Sequence, residues 1–278
     1  MRTQLAAIGA TLLLIVVNGV SPSHGTEGPI EVWVSILPQM EMVDRIGGDR
    51  VTVRALVQPG DSPATYEPTP KQLAALWQAD LFFAMGVPFE ASLLPKLDNM
   101  DLDIPVAEVY QSIDRLPMDD HHDHGFAGHP DPHIWLDPEL VKVQAATVRD
   151  QLCRISPSHC AEFERNLKAY LVDVDTVGRR MDDVLKPYRG RRLFVFHPSF
   201  GYLARRYGMQ QVAVEVGGKQ PSPRQLAELV ERIHETDTRA IFVQPQIADR
   251  AAQSVAEASG CSLVVLDPLA ADHLANLE

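Results

Sequence analysis

Seven short apolar runs, at 32–37, 51–57, 81–85, 193–196, 212–216, 241–243 and 263–266, punctuate this chain, and each is bounded by turn-forming residues. Runs of that length without polar alternation read as strands covered on both faces, the pattern of a buried parallel sheet. Between them stand helix starts that can be named. Thr69-Pro70-Lys71-Gln72 and Ser222-Pro223-Arg224-Gln225 each offer a hydroxyl cap, a proline at the first helical position and a glutamine three residues after the cap. Asp137-Pro138 opens another helix in the same way. Strands alternating with helices in both halves imply an α/β fold of two lobes, each a parallel sheet covered by helices. The 278 residues, 45% hydrophobic and 22% charged, suffice for one large domain or two small ones.

Between the halves lies the longest periodic segment, with Phe163, Leu167, Leu171, Val174, Val177, Met181 and Val184 at steps of three and four. The spacing predicts one helix from Ser156-Pro157 to just before Pro187, roughly thirty residues and about 45 Å at the standard rise. Such a helix, with Gly178 as its one glycine, would join the lobes rigidly. The same periodicity also fits an amphipathic helix of a single larger domain. The expected organisation is a signal segment at 1–25, a first α/β lobe at 26–155, a linking helix at 156–187 and a second α/β lobe at 188–278.

Arg2 precedes an apolar run at 5–17 that is too short to span a bilayer and ends in Ser-Pro-Ser-His. It reads as a cleavable secretory signal, and cleavage after Gly25 meets the small-residue requirement through Ser23 and Gly25. A short membrane anchor ranks below export because the polar break follows at once. No cysteine follows that site to carry a lipid, so a periplasmic, soluble, monomeric protein is expected. Three cysteines allow one internal disulfide. Cys153 and Cys160 flank the turn-forming Ile155-Ser156-Pro157 and are within reach of one another, which leaves Cys261 as a small apolar residue entering a buried strand. No Cys-x-x-Cys pair is present to make a zinc knuckle. The formal charge of −12 repels phosphate backbones, which argues against nucleic acid as partner and leaves a cation as a natural ligand.

A cation-binding feature is easily found. The stretch 119–138, DDHHDHGFAGHPDPHIWLDP, holds five histidines and five aspartates. A packed core does not absorb so many imidazoles, because each ring needs hydrogen-bond partners once buried. The stretch therefore reads as a solvated loop that holds a metal ion, with a disordered low-complexity tract as the plainer alternative. Further candidate ligands fall where open α/β sheets bind theirs, beyond the carboxyl ends of the strands. His197 follows the run 193–196, Asp267 follows 263–266 with Pro268 stopping the strand, and His133 stands before Ile134-Trp135-Leu136. Two neutral imidazoles and one carboxylate suit zinc, since nitrogen donors select against magnesium and calcium. Singly, each has a plainer explanation: a loop-end hydrogen bonder, a cap, a residue of a solvated loop.

Five motifs in order then bring a family into view. They are Tyr66-Glu67-Pro68-Thr69-Pro70, His133-Ile134-Trp135-Leu136-Asp137-Pro138, His197-Pro198-Ser199-Phe200-Gly201-Tyr202-Leu203, Gln220-Pro221-Ser222 and Leu266-Asp267-Pro268-Leu269. From about residue 32 to 269 the chain resembles the ZnuA- and TroA-like zinc and manganese solute-binding proteins of bacterial metal ABC transporters. The resemblance implies two α/β lobes joined by a rigid helix, with the ion in the cleft between them. It puts the family's second ligand on His133, its third on His197 and its fourth on Asp267. Histidine at the third position implies zinc, manganese-type members tending to have glutamate there. The tract at 119–133, with His121, His122, His124 and His129, resembles the acidic, histidine-rich insert of zinc members.

Two departures stand out. The family's first ligand, a histidine, falls on Ala64, whose methyl cannot bind metal. The vacancy can be filled by a second oxygen of Asp267, by water, by Glu67 or by one of the loop histidines, and water or bidentate Asp267 is favoured. The second departure is that relatives usually continue into a closing helix, of which 269–278 would be only a stub, leaving the second lobe less well covered unless the chain is cut short. Three ligands plus water is also the pattern of a catalytic zinc, with Glu67 as general base. Without a His-Glu-x-x-His pattern or a marked substrate pocket, a zinc hydrolase ranks low. A periplasmic zinc chaperone or buffer is the other alternative. The reading favoured is capture without chemistry: His133, His197 and Asp267 hold Zn(II), with Mn(II) less favoured, and release it to an ABC permease. Because both imidazoles must be neutral to bind, affinity should fall below about pH 6.5.

Overall fold

A computed structural model describes residues 28–99, 104–118, 130–215, 222–236, 238–246 and 250–278. The signal segment and the four loop histidines His121, His122, His124 and His129 lie outside the described residues.

The first half builds β1 (Ile30–Val34), α1 (Pro38–Gly47), β2 (Val51–Ala55), α2 (Pro70–Leu76), β3 (Leu81–Ala84), α3 (Glu90–Asn99) and β4 (Val106–Glu108). The second half follows two long helices, α4 (Pro138–Ile155) and α5 (Cys160–Leu185). It runs through β5 (Arg192–Val195), α6 (Gly201–Arg206), β6 (Gln210–Ala213), α7 (Pro223–His234), β7 (Ala240–Val243), α8 (Arg250–Ser259), β8 (Ser262–Val265) and α9 (His273–Leu277). The strands form two four-stranded parallel sheets, ordered β2-β1-β3-β4 and β6-β5-β7-β8. Each order reverses direction beside its first strand, which opens a crevice at the carboxyl ends of β1 and β3 in one lobe and of β5 and β7 in the other.

The named helix starts form as the side chains dictate. Thr69 and Ser222 each accept from the backbone N–H three residues on, while Gln72 and Gln225 reach back to the caps, closing two capping boxes. Asp137 caps α4 by accepting from Glu139 N at 2.9 Å.

The long helical run breaks into short 3-10 turns at both ends, Pro157–His159 before α5 and Lys186–Tyr188 after it. Proline at the start of each turn lacks the N–H that a continuous helix would need there. Helix α5 does more than link. Phe163, Leu167, Tyr170, Val174, Val177 and Met181 bury its apolar face in the first lobe's core. Gly178 is a place of touching helices rather than a hinge, since a methyl there would meet Pro138 at 3.5 Å. A disulfide joins Cys153 at the end of α4 to Cys160 at the start of α5, stapling the turn between them. Cys261 is half-buried rather than inside the strand, with its sulfur near the Thr238 carbonyl.

The two sheets meet along a seam of specific bonds. Trp135 Nε1 donates to Pro268 O at 2.6 Å, and Arg206 of α6 pairs with the Asp137 cap at 2.5 Å. The end of the chain folds back across the seam: α9 packs on α1 and α5, and Leu274 N donates to Glu41 at 2.9 Å. Within 269–278 the short helix α9, His273–Leu277, packs on the first lobe.

Candidate metal centre

His197 is placed by sheet register. Strands β5 and β6 pair with Val195 opposite Ala213, so two residues further on His197 stands beside Glu215. The backbone holds that extension, with Glu215 N donating to Phe196 O at 3.0 Å. His197 Nδ1 lies 2.5 Å from Glu215 Oε1. A carboxylate only accepts, so Nδ1 carries the proton and the lone pair is on Nε2. On the other side β7 pairs Phe242 with Val195, which brings Gln244 to the same edge, where its Nε2 donates to the Ser199 hydroxyl at 2.6 Å.

His133 is held in the same way by a local turn. Asp131 Oδ1 accepts from His133 N at 2.9 Å and from His133 Nδ1 at 2.7 Å. That ring too is fixed as the Nδ1–H form, with its lone pair on Nε2. The expectation of a solvated loop fails here, because Asp131 is 3% exposed and His133 8%. The imidazole tolerates burial because the carboxylate supplies its hydrogen-bond partner. Trp135, its ring 5.1 Å from that of His133, is buried as well.

One imidazole stands before the short turn that leads into α4 and the other beyond β5, and they meet edge to face, with centroids 5.4 Å apart and planes at 71°. Asp267 stands at the tip beyond β8. Its Oδ1 accepts from Gln246 Nε2 and from Leu269 N, both at 2.9 Å. The next residue, Pro268, carries the carbonyl bonded to Trp135, so the Asp267 tip is tied to the segment bearing His133. Among the described residues no three His, Cys, Asp or Glu side chains stand close enough to hold one ion. The structure thus brings together His133 and His197, each with its own carboxylate, and keeps the Asp267 carboxylate on Gln246 and Leu269.

Ala64 is exposed in the loop after β2, its N–H directed at the Ser62 hydroxyl. Glu67 is exposed and lines a surface pocket of about 520 Å³ with Gln58, Asp61 and Tyr66. Asp131 and Glu215 escaped the reading of the sequence. Their signals were present: a lone carboxylate in the apolar Val212-Ala213-Val214-Glu215-Val216, and an aspartate between two prolines just before His133.

With this geometry in view, the comparisons with known proteins are decisive for the family. The family model described as zinc-uptake complex component A, periplasmic (ZnuA), matches residues 32–276, and the chain belongs to that family. A crystal structure of ZnuA superposes with a TM-score of 0.84 at 36% identity, covering 90% of this chain and 95% of that one. A putative metal-binding protein of Chlamydia muridarum is 27% identical across 96% of this chain and 95% of its own length. The zinc-binding lipoprotein AdcA of Streptococcus pneumoniae is 26% identical over 96% of this chain, which spans 55% of AdcA. The manganese-binding lipoprotein MntA of Halalkalibacterium halodurans is 27% identical over 80% of this chain and 73% of MntA.

Proposed function

We propose that this protein is an extracytoplasmic receptor that captures Zn(II) between its lobes and delivers it to the membrane permease of an ABC importer. The observation that carries the reading is the pair His133, before α4, and His197, beyond β5, in ring contact and each presenting Nε2 because a carboxylate holds Nδ1. Nitrogen donors favour zinc over manganese, which prefers oxygen. Asp267, whose Oδ1 is already occupied by two donors, supplies a carboxylate oxygen as third ligand when the lobes settle on the ion. Water or the second oxygen of Asp267 completes the shell, since Ala64 offers no donor. Family membership and the names of the relatives support metal receptor work, zinc in some and manganese in others.

Isothermal titration of zinc into the parent and into His133→Ala, His197→Ala and Asp267→Ala tests this. Each variant should lose more than about 100-fold in affinity, beyond the 10–100-fold typical of outer-shell changes. Parent-like binding by all three would remove the site from the cleft. Manganese titrated in parallel should bind more weakly to the parent.

A further inference from the structure

The residue that holds His133 also carries the contact between the lobes. Leu116-Pro117 and Pro130-Asp131 come together as a neck, with Pro117 opposite Pro130 in an isolated antiparallel bridge and Asp131 N donating to Leu116 O at 2.6 Å. One hydroxyl from the other lobe clamps both sides of this neck. Tyr202 of α6 accepts from Leu116 N at 3.0 Å and donates to Asp131 O at 2.7 Å. Tyr202 and Asp131 are both buried, so water does not readily replace either bond. The residue before the tyrosine adds a second constraint. A Cβ at Gly201 would stand 3.0 Å from Asp131 Oδ2, closer than nearly all side chains approach. The carboxylate that fixes His133 is thus seated against the bare backbone that starts α6.

We propose that Asp131 is a positioning residue that couples the orientation of His133 to contact between the lobes. Its carboxylate sets the imidazole, its carbonyl is held by Tyr202, and Gly201 leaves room for both. The ion is then felt in two places: at the imidazole, and at the seam where α6 meets the neck. Glu215 does the corresponding work for His197 within a single lobe, through strand register alone. Residues that never touch metal, Tyr202 and Gly201, therefore govern how well His133 binds it. This inference rests on the zinc-receptor reading for its ligand, but its structural half stands without metal.

The test uses the full chain with ¹⁵N-labelled histidine, read by ring-nitrogen NMR without metal and by competition titration with zinc. Tyr202→Phe keeps the ring and removes the clamp; Gly201→Ala crowds the carboxylate; Glu215→Gln is the control confined to His197. Tyr202→Phe and Gly201→Ala should each weaken zinc binding by about tenfold, the lower end for outer-shell partners. In both, the His133 nitrogens should move toward a mixture of tautomers while those of His197 stay as in the parent. Glu215→Gln should do the reverse. Parent-like His133 nitrogens and parent-like zinc affinity in Tyr202→Phe and Gly201→Ala would overturn the coupling. If the parent binds no zinc, the receptor reading fails, and the His133 nitrogens of the metal-free variants decide the coupling alone.

Discussion

The two lobes share one strand order and differ in what covers it. In the first, β3 is buried along its whole length, and a continuous apolar core runs through α1, α4 and α5. That core also takes in Val195, Phe200, Tyr202 and Tyr207 from the second half of the chain. The second lobe's own cluster holds ten buried residues among those described, and its outer strand β8 leaves Val264 and Val265 exposed. A parallel sheet is stable when both faces are covered, and among the described residues the second sheet buries fewer apolar side chains. Topology alone therefore does not set rigidity. The candidate site lies between walls of unequal burial, His133 beside the larger cluster and His197 and Asp267 beside the smaller one.

The contrast can be broken by core truncation. Phe83→Ala, at a fully buried position of the first lobe, should cost about 3–5 kcal/mol and lower the whole molecule's stability. Ile241→Ala, fully buried in the small cluster, should cost about 2–5 kcal/mol, taken almost wholly from the second lobe. The chain offers a built-in probe, because Trp33, Trp77 and Trp135, its three tryptophans, all belong to or pack on the first lobe's core. In urea, Ile241→Ala should lose circular dichroism before tryptophan fluorescence, whereas in Phe83→Ala both should shift together. Coincident transitions in Ile241→Ala would mean that the lobes unfold as one unit.

Much of this architecture was legible in the sequence because a buried parallel strand is itself an apolar run. Each of the seven runs holds a strand or its carboxyl end. The eighth strand, Val106–Glu108, is three residues long and half exposed, and so leaves no run to find. The run at 212–216 overshoots β6, since Val214 stays buried in the second lobe's core after the ladder ends at Ala213. Capping boxes were readable because their chemistry is local. His133 and His197 were readable as chemistry, but their carboxylates were not equally so. Glu215 meets His197 only through the register that sets Val195 opposite Ala213, and register depends on the whole sheet. The burial of Asp131 and His133 is likewise a long-range matter, set by α6 arriving from the other lobe.

His273 sharpens the comparison, as it lies in the second half of the sequence yet is buried in the first lobe's seam. Its Nε2 donates to Trp135 O at 2.7 Å, and its Nδ1 has no partner among the described residues. Burial pushes its pKa from 6.5 down to about 4, partly opposed by the bond to the Trp135 carbonyl. The unfolded chain takes up the proton first, so the folded state is fully favoured above about pH 6.5 and loses stability as pH falls toward 4. The loss across that window should be about 3 kcal/mol. His273→Gln, which keeps a donor for Trp135, should flatten the pH dependence of the urea midpoint between 6.5 and 4. An unchanged slope would place the acid sensitivity elsewhere.

The smallest test compares like with like, because the same capping box starts α2 in one lobe and α7 in the other. Removing a hydroxyl cap typically costs about 1 kcal/mol. The neighbours differ, however. Gln72 also donates to Leu56 O at 3.0 Å, so Thr69→Ala leaves the glutamine anchored to the core. Among the described residues Gln225 bonds to Ser222 at the helix start, and these bonds are exposed. Ser222→Ala should therefore lose close to the full amount and Thr69→Ala less. Amide hydrogen exchange at Gln72 and Gln225 is the sensitive readout: Gln225 in Ser222→Ala should exchange several-fold faster than in the parent, and the exchange should spread along α7 to β7. Confinement of that effect to the first turn of α7 would show that the second lobe holds together better than its exposed edge and small core imply.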